Sequence, residues 1–310
     1  MTDAQPRVLV VGEALVDVVP DSFGQPQDFP GGSPANVAIA LGRLGRDVRL
    51  VTLLGEDDRG AAVRAWLEAS DVSVLAGPTA SGRTSSAVVT LDDSGAASYV
   101  FDLDWHLDEI PDDGCDVLHA GSIATVLEPG ADTVLAAFRA HRGRALVSLD
   151  PNARPSITPD RADPVRRVEE LVTLSDVVKV SDEDLHWLHP DDDPVATATR
   201  WASAGPGLVV VTRGGDGAVA VRPDGTALEV PGVPVVVADT VGAGDTFSGV
   251  LIDALLGLGV RSGEALRALS DRDVLGAVTT AAIGAAINVS RPGANPPSRT
   301  ELDAALGAGE

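Results

Sequence analysis

The sequence predicts an α/β fold with a mostly parallel central sheet, on three observations: valine-rich apolar runs without strict polar alternation, segments of helical period between them, and a length that suits one large domain or two moderate ones. The runs fall at 7–12, 48–54, 116–120, 145–149, 177–180 and 208–212. Strands buried on both faces are apolar throughout, whereas a half-exposed strand alternates. The best-marked helix lies in GGSPANVAIALGRLG, with Ser33 as N-cap, Pro34 at the first helical position and Gly45 as the stop, so the spacing predicts a helix over 34–44. A β-hairpin is expected across 83–102, where RTSSAVVTL and ASYVF flank the turn-forming DDSG at 92–95. The extended VDVVP at 16–20 leads into a Gly/Pro/Gln stretch, and with the hairpin it is expected to build a small sheet, about 16–30 and 83–104, that forms a lid over a cleft. The run at 274–289 contains threonines and an asparagine and is shorter than the roughly 20 apolar residues of a membrane span, so it is expected to be a buried helix. No repeat or low-complexity linker divides the chain, which is read as one domain, 1–310, carrying the lid.

Charge narrows the partners. A net charge of −23 repels phosphate backbones and anionic lipid headgroups, so nucleic acid and membranes are not expected to bind. One cysteine, Cys115, forms neither an internal disulfide nor a thiolate cluster, which fits a reducing compartment. The first residues lack the charged head and long apolar core of a signal peptide, and the expected location is the cytoplasm. A single lysine, Lys179, stands in VVKVSD with no glycines before it, which excludes a P-loop of the form GxxxxGK[ST].

The most informative stretch is DTVGAGDTFSG at 239–249, which follows the apolar VPVVVA and precedes FSGVLIDALLGLG. It is read as a strand, a glycine turn and a helix. Gly242, Ala243 and Gly244 would let backbone amides converge at the head of that helix, where free N–H groups and the dipole attract an anion such as phosphate. Asp245 beside such a hole would repel a phosphoryl group unless it accepts a proton from an attacking hydroxyl, which suggests phosphoryl transfer to an alcohol. From the residues alone, a plain glycine turn with Asp245 charging the helix start explains the pattern equally well, since no third glycine follows at 247.

Five blocks occur together: GEALVDVV at 12–19, GGSPANVAIALGRLG at 31–45, DPNAR at 150–154, VTRGGDG at 211–217 and DTVGAGDTFSG at 239–249. In this order the chain resembles the ribokinase-like, or PfkB-type, carbohydrate kinases over nearly its whole length, and within them it looks most like the bacterial fructokinases. The resemblance implies a Rossmann-like three-layer α/β/α sandwich with a small β-sheet lid, ATP as donor, Mg²⁺ as the required ion and K⁺ as a further one. By the same resemblance Asp245 is the catalytic base that takes the proton of the sugar's primary hydroxyl, and Gly242, Ala243 and Gly244 form the anion hole. Asp17, Gly31, Gly32 and Asn36 resemble the sugar-binding set. Thr212, Arg213, Gly214 and Gly217 resemble the turn beside the ATP phosphates and ribose, and Asn288 lies in the helix that approaches the base. Arg154, second to these, would neutralise phosphate charge or touch substrate. One departure stands out: where many members carry N-x-x-E, this chain has Ser181-Asp182-Glu183-Asp184. Asp184 reaches one methylene less, yet keeps a carboxylate for water-mediated Mg²⁺ binding. Asp239, with backbone carbonyls around Val241 and 286–295, is the K⁺ candidate.

Other constellations fail. His186 and His189 sit three apart beside a surface turn at Asp191–Asp193 and are read as a solvated pair rather than a metal site. The run Gly31-Gly32-Ser33-Pro34-Ala35 misses the last glycine of a GxSxG elbow, and GEALVD stands where a dinucleotide fold would need GxGxxG after its first strand. The lid segment 99–105 supplies the aromatic rings of Tyr99, Phe101 and Trp105 with Asp102 and Asp104, and no arginine stands between Arg83 and Arg139 to pair a sugar acid. A neutral monosaccharide is therefore expected, fructose first, with ribose, another ketohexose, ketodeoxygluconate or a nucleoside as alternatives. A non-catalytic sensor of the same fold is disfavoured by the intact Asp245 and its glycines. An exposed lid edge would suit a homodimer through the lid.

Overall fold

The computed structural model describes residues 5–21, 24–91, 97–112 and 114–307. The expected α/β class is what it shows. One sheet contains β1 (Arg7–Val11), β4 (Asp47–Leu54), β5 (Val72–Pro78), β8 (Val117–Gly121), β9 (Leu146–Asp150), β10 (Val177–Ser181), β11 (Leu208–Thr212), β12 (Ala218–Val221) and β13 (Ala227–Val230). Its order is β13-β12-β11-β10-β9-β8-β1-β4-β5, parallel from β5 to β11 and antiparallel for the last two strands. The valine runs become strands because both faces are covered. Val8 and Val10 pack into an apolar cluster with α1 (Ser33–Arg43), α2 (Asp58–Glu68), α7 (Ala243–Gly257), α9 (Asp271–Val289) and α10 (Arg299–Gly307). Leu9 and Val11 point the other way, into a cluster with α3 (Gly130–His141), α4 (Ala162–Leu174), α5 (Asp182–Leu188) and α6 (Pro194–Ala204). The short α8 (Gly263–Arg267) completes the first layer.

The strand order has a consequence for function. From β1 the chain builds outward through β4 and β5, then returns to lay β8 on the other side of β1 and continues to β13. That reversal between β1 and β8 is a topological switch point, where the loops after parallel strands diverge and leave a crevice at the carboxyl ends.

A second sheet, ordered β3-β2-β6-β7, is made by β2 (Leu15–Pro20), β3 (Pro26–Gly31), β6 (Ser86–Leu91) and β7 (Ala97–Asp102). The expected hairpin is present as the antiparallel β6–β7 pair, while its DDSG turn lies outside the described residues. Register places Phe29 opposite Asp17, Asp17 opposite Ala87 and Ala87 opposite Phe101, so these four share one face. The neighbouring residues Val16 and Val18 turn the opposite way, into the first apolar cluster.

Three local expectations change. Gly32, not Ser33, is the N-cap of α1, and Ser33 lies inside the helix with its hydroxyl directed elsewhere. The stretch 233–238 is not a strand: Pro231 and Pro234 lack ladder donors, and Val236 is 88% exposed. Trp105 is buried in the second cluster, its indole N–H donating to the Ala124 carbonyl at 3.1 Å, and so does not line the face that carries Asp17.

The 274–289 run forms most of α9, whose start is secured by a capping box between Ser270 and Asp273. Ser270→Ala is expected to lower unfolding free energy by about 1 kcal/mol in urea titration, with kinetics unchanged. No described helix is long and apolar enough to cross a membrane.

Candidate active site

The glycine motif opens α7. Gly242 is its N-cap in the left-handed region at φ +71°, and a Cβ there would stand 2.6 Å from the Ala294 Cβ. No side chain caps the first turn; the Ala243 N–H donates to the Thr240 carbonyl at 3.2 Å, so it is the N–H groups of Gly244 and Asp245 that are available to an anion. At Gly244 an added Cβ would stand 2.7 Å from the Lys179 ammonium nitrogen, which occupies that space.

Asp245 follows, 7% exposed. Ser33 Oγ donates to its Oδ1 at 2.6 Å, and Asn36 Nδ2 donates to its Oδ2 at 2.8 Å. Asn152, just after β9, donates from Nδ2 to Ser33 Oγ at 2.7 Å and to Asp245 Oδ1 at 3.3 Å. Arg154 in turn fixes Asn152, its guanidinium donating to the Asn152 carbonyl at 3.1 Å and to Asn152 Oδ1 at 2.5 Å. Burial raises the Asp245 pKa above 3.8, the nearby Asp150 adds to the rise, and the Ser33 and Asn36 hydrogen bonds with Lys179 oppose it. The result is a buried, hydrogen-bonded carboxylate with a proton affinity above that of a solvated aspartate.

Behind it lies a buried polar layer. Lys179 Nζ stands 3.0 Å from Asp150 Oδ2, which also accepts from Ser248 Oγ at 2.9 Å, tying β10, β9 and α7 together. Asp184 forms the capping box of α5 with Ser181 and accepts from Ala153 N at 2.9 Å. Burial and then Asp150 raise its pKa. Both Asp184 oxygens are held by backbone N–H groups, from Ala153 and from Ser181 at 3.3 Å.

On the second sheet Asp17 approaches Gly31 so closely that a Cβ on Gly31 would stand 2.4 Å from Asp17 Oδ2. Burial raises the Asp17 pKa and Arg154 partly offsets it. Phe101 shares that face, whereas Asp102 is paired with Arg83 at 3.0 Å and Asp104 accepts from Ala80 N at 2.5 Å.

At the far end of the crevice Thr212 ends β11, and Gly214, at φ +51°, opens a short 3₁₀ turn. Gly217, at φ +96°, could not carry a Cβ, which would fall 2.1 Å from the Val230 carbonyl oxygen. The Arg213 guanidinium is paired with Glu229 on β13 and so faces the sheet edge. Asn288 is fully buried, donating to Val241 O and accepting from Asn295 N, both at 2.8 Å, which makes it an anchor of the loop before α7. Asp239 does similar work: N–H groups of Val241, at 3.0 Å, and Gly293, at 2.8 Å, hold its carboxyl below the usual range. Among the described residues no cluster of three or more His, Cys, Asp or Glu could hold a metal ion.

Residues 5–301 match the model of the pfkB family carbohydrate kinases. The chain belongs to that family. A fructokinase from Klebsiella pneumoniae is 35% identical over 291 residues, spanning 90% of this chain and 94% of the relative. Among solved structures, fructokinase with bound ATP from Xylella fastidiosa superposes with a TM-score of 0.89 at 27% identity, covering 98% of each chain. A double mutant of the Vibrio cholerae O395 fructokinase, in fructose, ADP and potassium ion bound form, gives 0.84 at 28% identity, covering 99% of this chain and 100% of that one.

As a pfkB carbohydrate kinase the protein is a sugar phosphotransferase. Of the residues singled out from the sequence, the structure gathers Asp245, Gly242, Ala243, Gly244, Asn36, Gly31, Gly32, Asp17 and Arg154 about the switch point, with Asp184 beside them. It sets Arg213, Asn288 and Asp239 to holding loops and edges. Ser33, Asn152, Asp150 and Lys179 contact the site directly, yet from the sequence Ser33 reads as a cap and Lys179 only as the missing P-loop lysine.

Proposed function

We propose that this kinase transfers the γ-phosphate of ATP to the primary hydroxyl of D-fructose, giving fructose 6-phosphate, with Asp245 as general base. The observation that carries the reading is the buried Asp245 carboxylate one residue after Gly244, braced by Ser33 and Asn36 at the head of an uncapped helix. As the hydroxyl oxygen bonds to the γ-phosphorus, its proton passes to Asp245, and the bond to the β,γ-bridging oxygen breaks to leave ADP. The amides at the start of α7 receive the phosphoryl oxygens, whose charge would otherwise repel Asp245. Asp17, Asn36 and the backbone at Gly31 and Gly32 hold the sugar, with Phe101 covering an apolar face. The β2–β3–β6–β7 sheet is the lid, and its edges suit a second copy.

A divalent ion would enter this site with the nucleotide phosphates, near the buried Asp184 carboxyl, whose pKa is raised by burial and then by Asp150. Mg²⁺ bound with ATP would neutralise charge on the β- and γ-phosphates, and Asp184 is the acid that would orient its waters. K⁺ would take backbone carbonyls around Val241 and 286–295, the loops that Asp239 and Asn288 lace together.

The test is ADP release with Mg²⁺-ATP against fructose, ribose, ketodeoxygluconate, adenosine and no acceptor, in K⁺ and again with K⁺ replaced by Na⁺. Turnover is expected with fructose above all others and to fall without K⁺. Selective turnover of another acceptor would overturn the fructose reading and keep the kinase.

A further inference from the structure

Lys179 is the chain's single lysine and is nearly sealed from solvent, its side chain 6% exposed. On β10 its neighbours Val178 and Val180 face the cluster of α3–α6, so Lys179 faces the opposite layer, which contains α7. Its ammonium packs where Gly244 lacks a Cβ, and Gly244 is one residue from Asp245. Charged groups face it from several elements: Asp150 from β9, Asp184 from α5, Asp245 from α7, and His119 from β8. Asp150 contacts the ammonium at 3.0 Å, and the charges of Asp184 and Asp245 act on it as well. A buried cation packed against Gly244, at the base of an anion site, is placed to act on the charge of that site.

We propose that Lys179 is a positioning residue for phosphoryl transfer, a fixed positive charge behind Gly244 that holds Asp245 ionised and favours negative charge in the anion hole. The proposal deepens the sugar-kinase reading and rests on it. Burial by itself would make the Lys179 ammonium more acidic, but Asp150, Asp184 and Asp245 outweigh it, so the charge persists through neutral pH.

Two measurements test it. In Lys179→Met the acid limb of the kcat/KM profile is expected to move up by about one pH unit, a tenfold loss on that limb, with fructose affinity little changed. The groups facing Asp245 besides Lys179 are Ser33, Asn36, Asn152, Glu13 and Asp150, all retained in the variant. A parent-like profile in folded Lys179→Met would assign the lysine a structural role and overturn the proposal. Because that variant leaves Asp150 uncompensated and can fail to fold, the second measurement uses the parent protein. Labelled with ¹⁵N-lysine, it has one side-chain ammonium resonance, expected to shift when ADP and fluoroaluminate bind as a phosphoryl mimic and to stay in place with fructose alone. No shift, with ADP binding shown by calorimetry, overturns the proposal. Absence of ADP binding itself would overturn the kinase reading and the proposal with it.

Discussion

Asp245→Asn is expected to lower kcat by about 10²–10⁴-fold while the dissociation constant for fructose changes little. The asparagine fills the same space between Ser33 and Asn36, 2.6 and 2.8 Å from the parent oxygens, but has no basic oxygen to take the hydroxyl proton. The loss belongs to the chemical step, so single-turnover quench experiments at saturating ATP and fructose are the direct readout, with calorimetry for sugar binding. The parent's pH dependence follows from the same carboxyl. Burial raises its pKa above 3.8, the base works only when deprotonated, and activity is therefore lost as pH falls through a value higher than a solvated aspartate would give. For stability the sign is opposite: a raised carboxyl pKa means the charged form is penalised in the fold, so this group's contribution worsens as pH rises through the same range. Asp245→Asn should show neither the acid limb nor that penalty. Single-turnover phosphorylation at the parent rate would remove Asp245 from the role.

Much of this arrangement was legible in residue pattern because it is local. Valine runs without alternation mark strands covered on both sides, and the alternating destinations of Val8 through Val11 are the physical reason. The glycines of DTVGAGD mark a helix head with room for an anion, and Gly242 and Gly244 occupy positions where a Cβ would collide. What escaped is long-range. Ser33 has every local mark of a cap, a serine before proline at a helix start, yet its hydroxyl bonds a carboxylate 212 residues away while glycine takes the cap position. Arg213 sits in the expected turn, but its side chain follows Glu229 on a strand that joins the sheet later in the chain. Lys179 was informative only through what it excluded, since a lysine inside an apolar strand declares no partner until β9 and α7 are packed on it. The apolar 233–238 run errs in the other direction: its hydrophobic content suggests a strand, and Pro234 with a bare surface makes it a loop.

Gly32→Ala is expected to cost about 10² in kcat/KM, and the reason joins the fold to the chemistry. Gly32 sits at φ +109°, ψ 131°, backbone that an L-residue enters only with strain of about 1–3 kcal/mol. Its new Cβ would stand 2.6 Å from the Glu13 carbonyl oxygen and 3.2 Å from the Ala14 Cα, and neither yields easily. Gly12 N bonds Val51 O at 3.1 Å and Ala14 N bonds Thr52 Oγ1 at 3.0 Å, which pins that segment to β4. Relief must come from the other side, where the Gly32 carbonyl accepts from Asn36 N at 2.9 Å and begins α1. Displacing that helix end moves Ser33 and Asn36 together, and with them both donors that aim Asp245. Binding and chemistry should therefore fall together, unlike the kcat-only loss of Asp245→Asn. Gly45→Ala supplies the control: it carries a similar backbone demand at φ +77° with nothing within 4 Å of its Cβ, so it should lose stability and leave kinetics alone. Parent-like kcat and KM in folded Gly32→Ala would show that α1 can be displaced without disturbing the base.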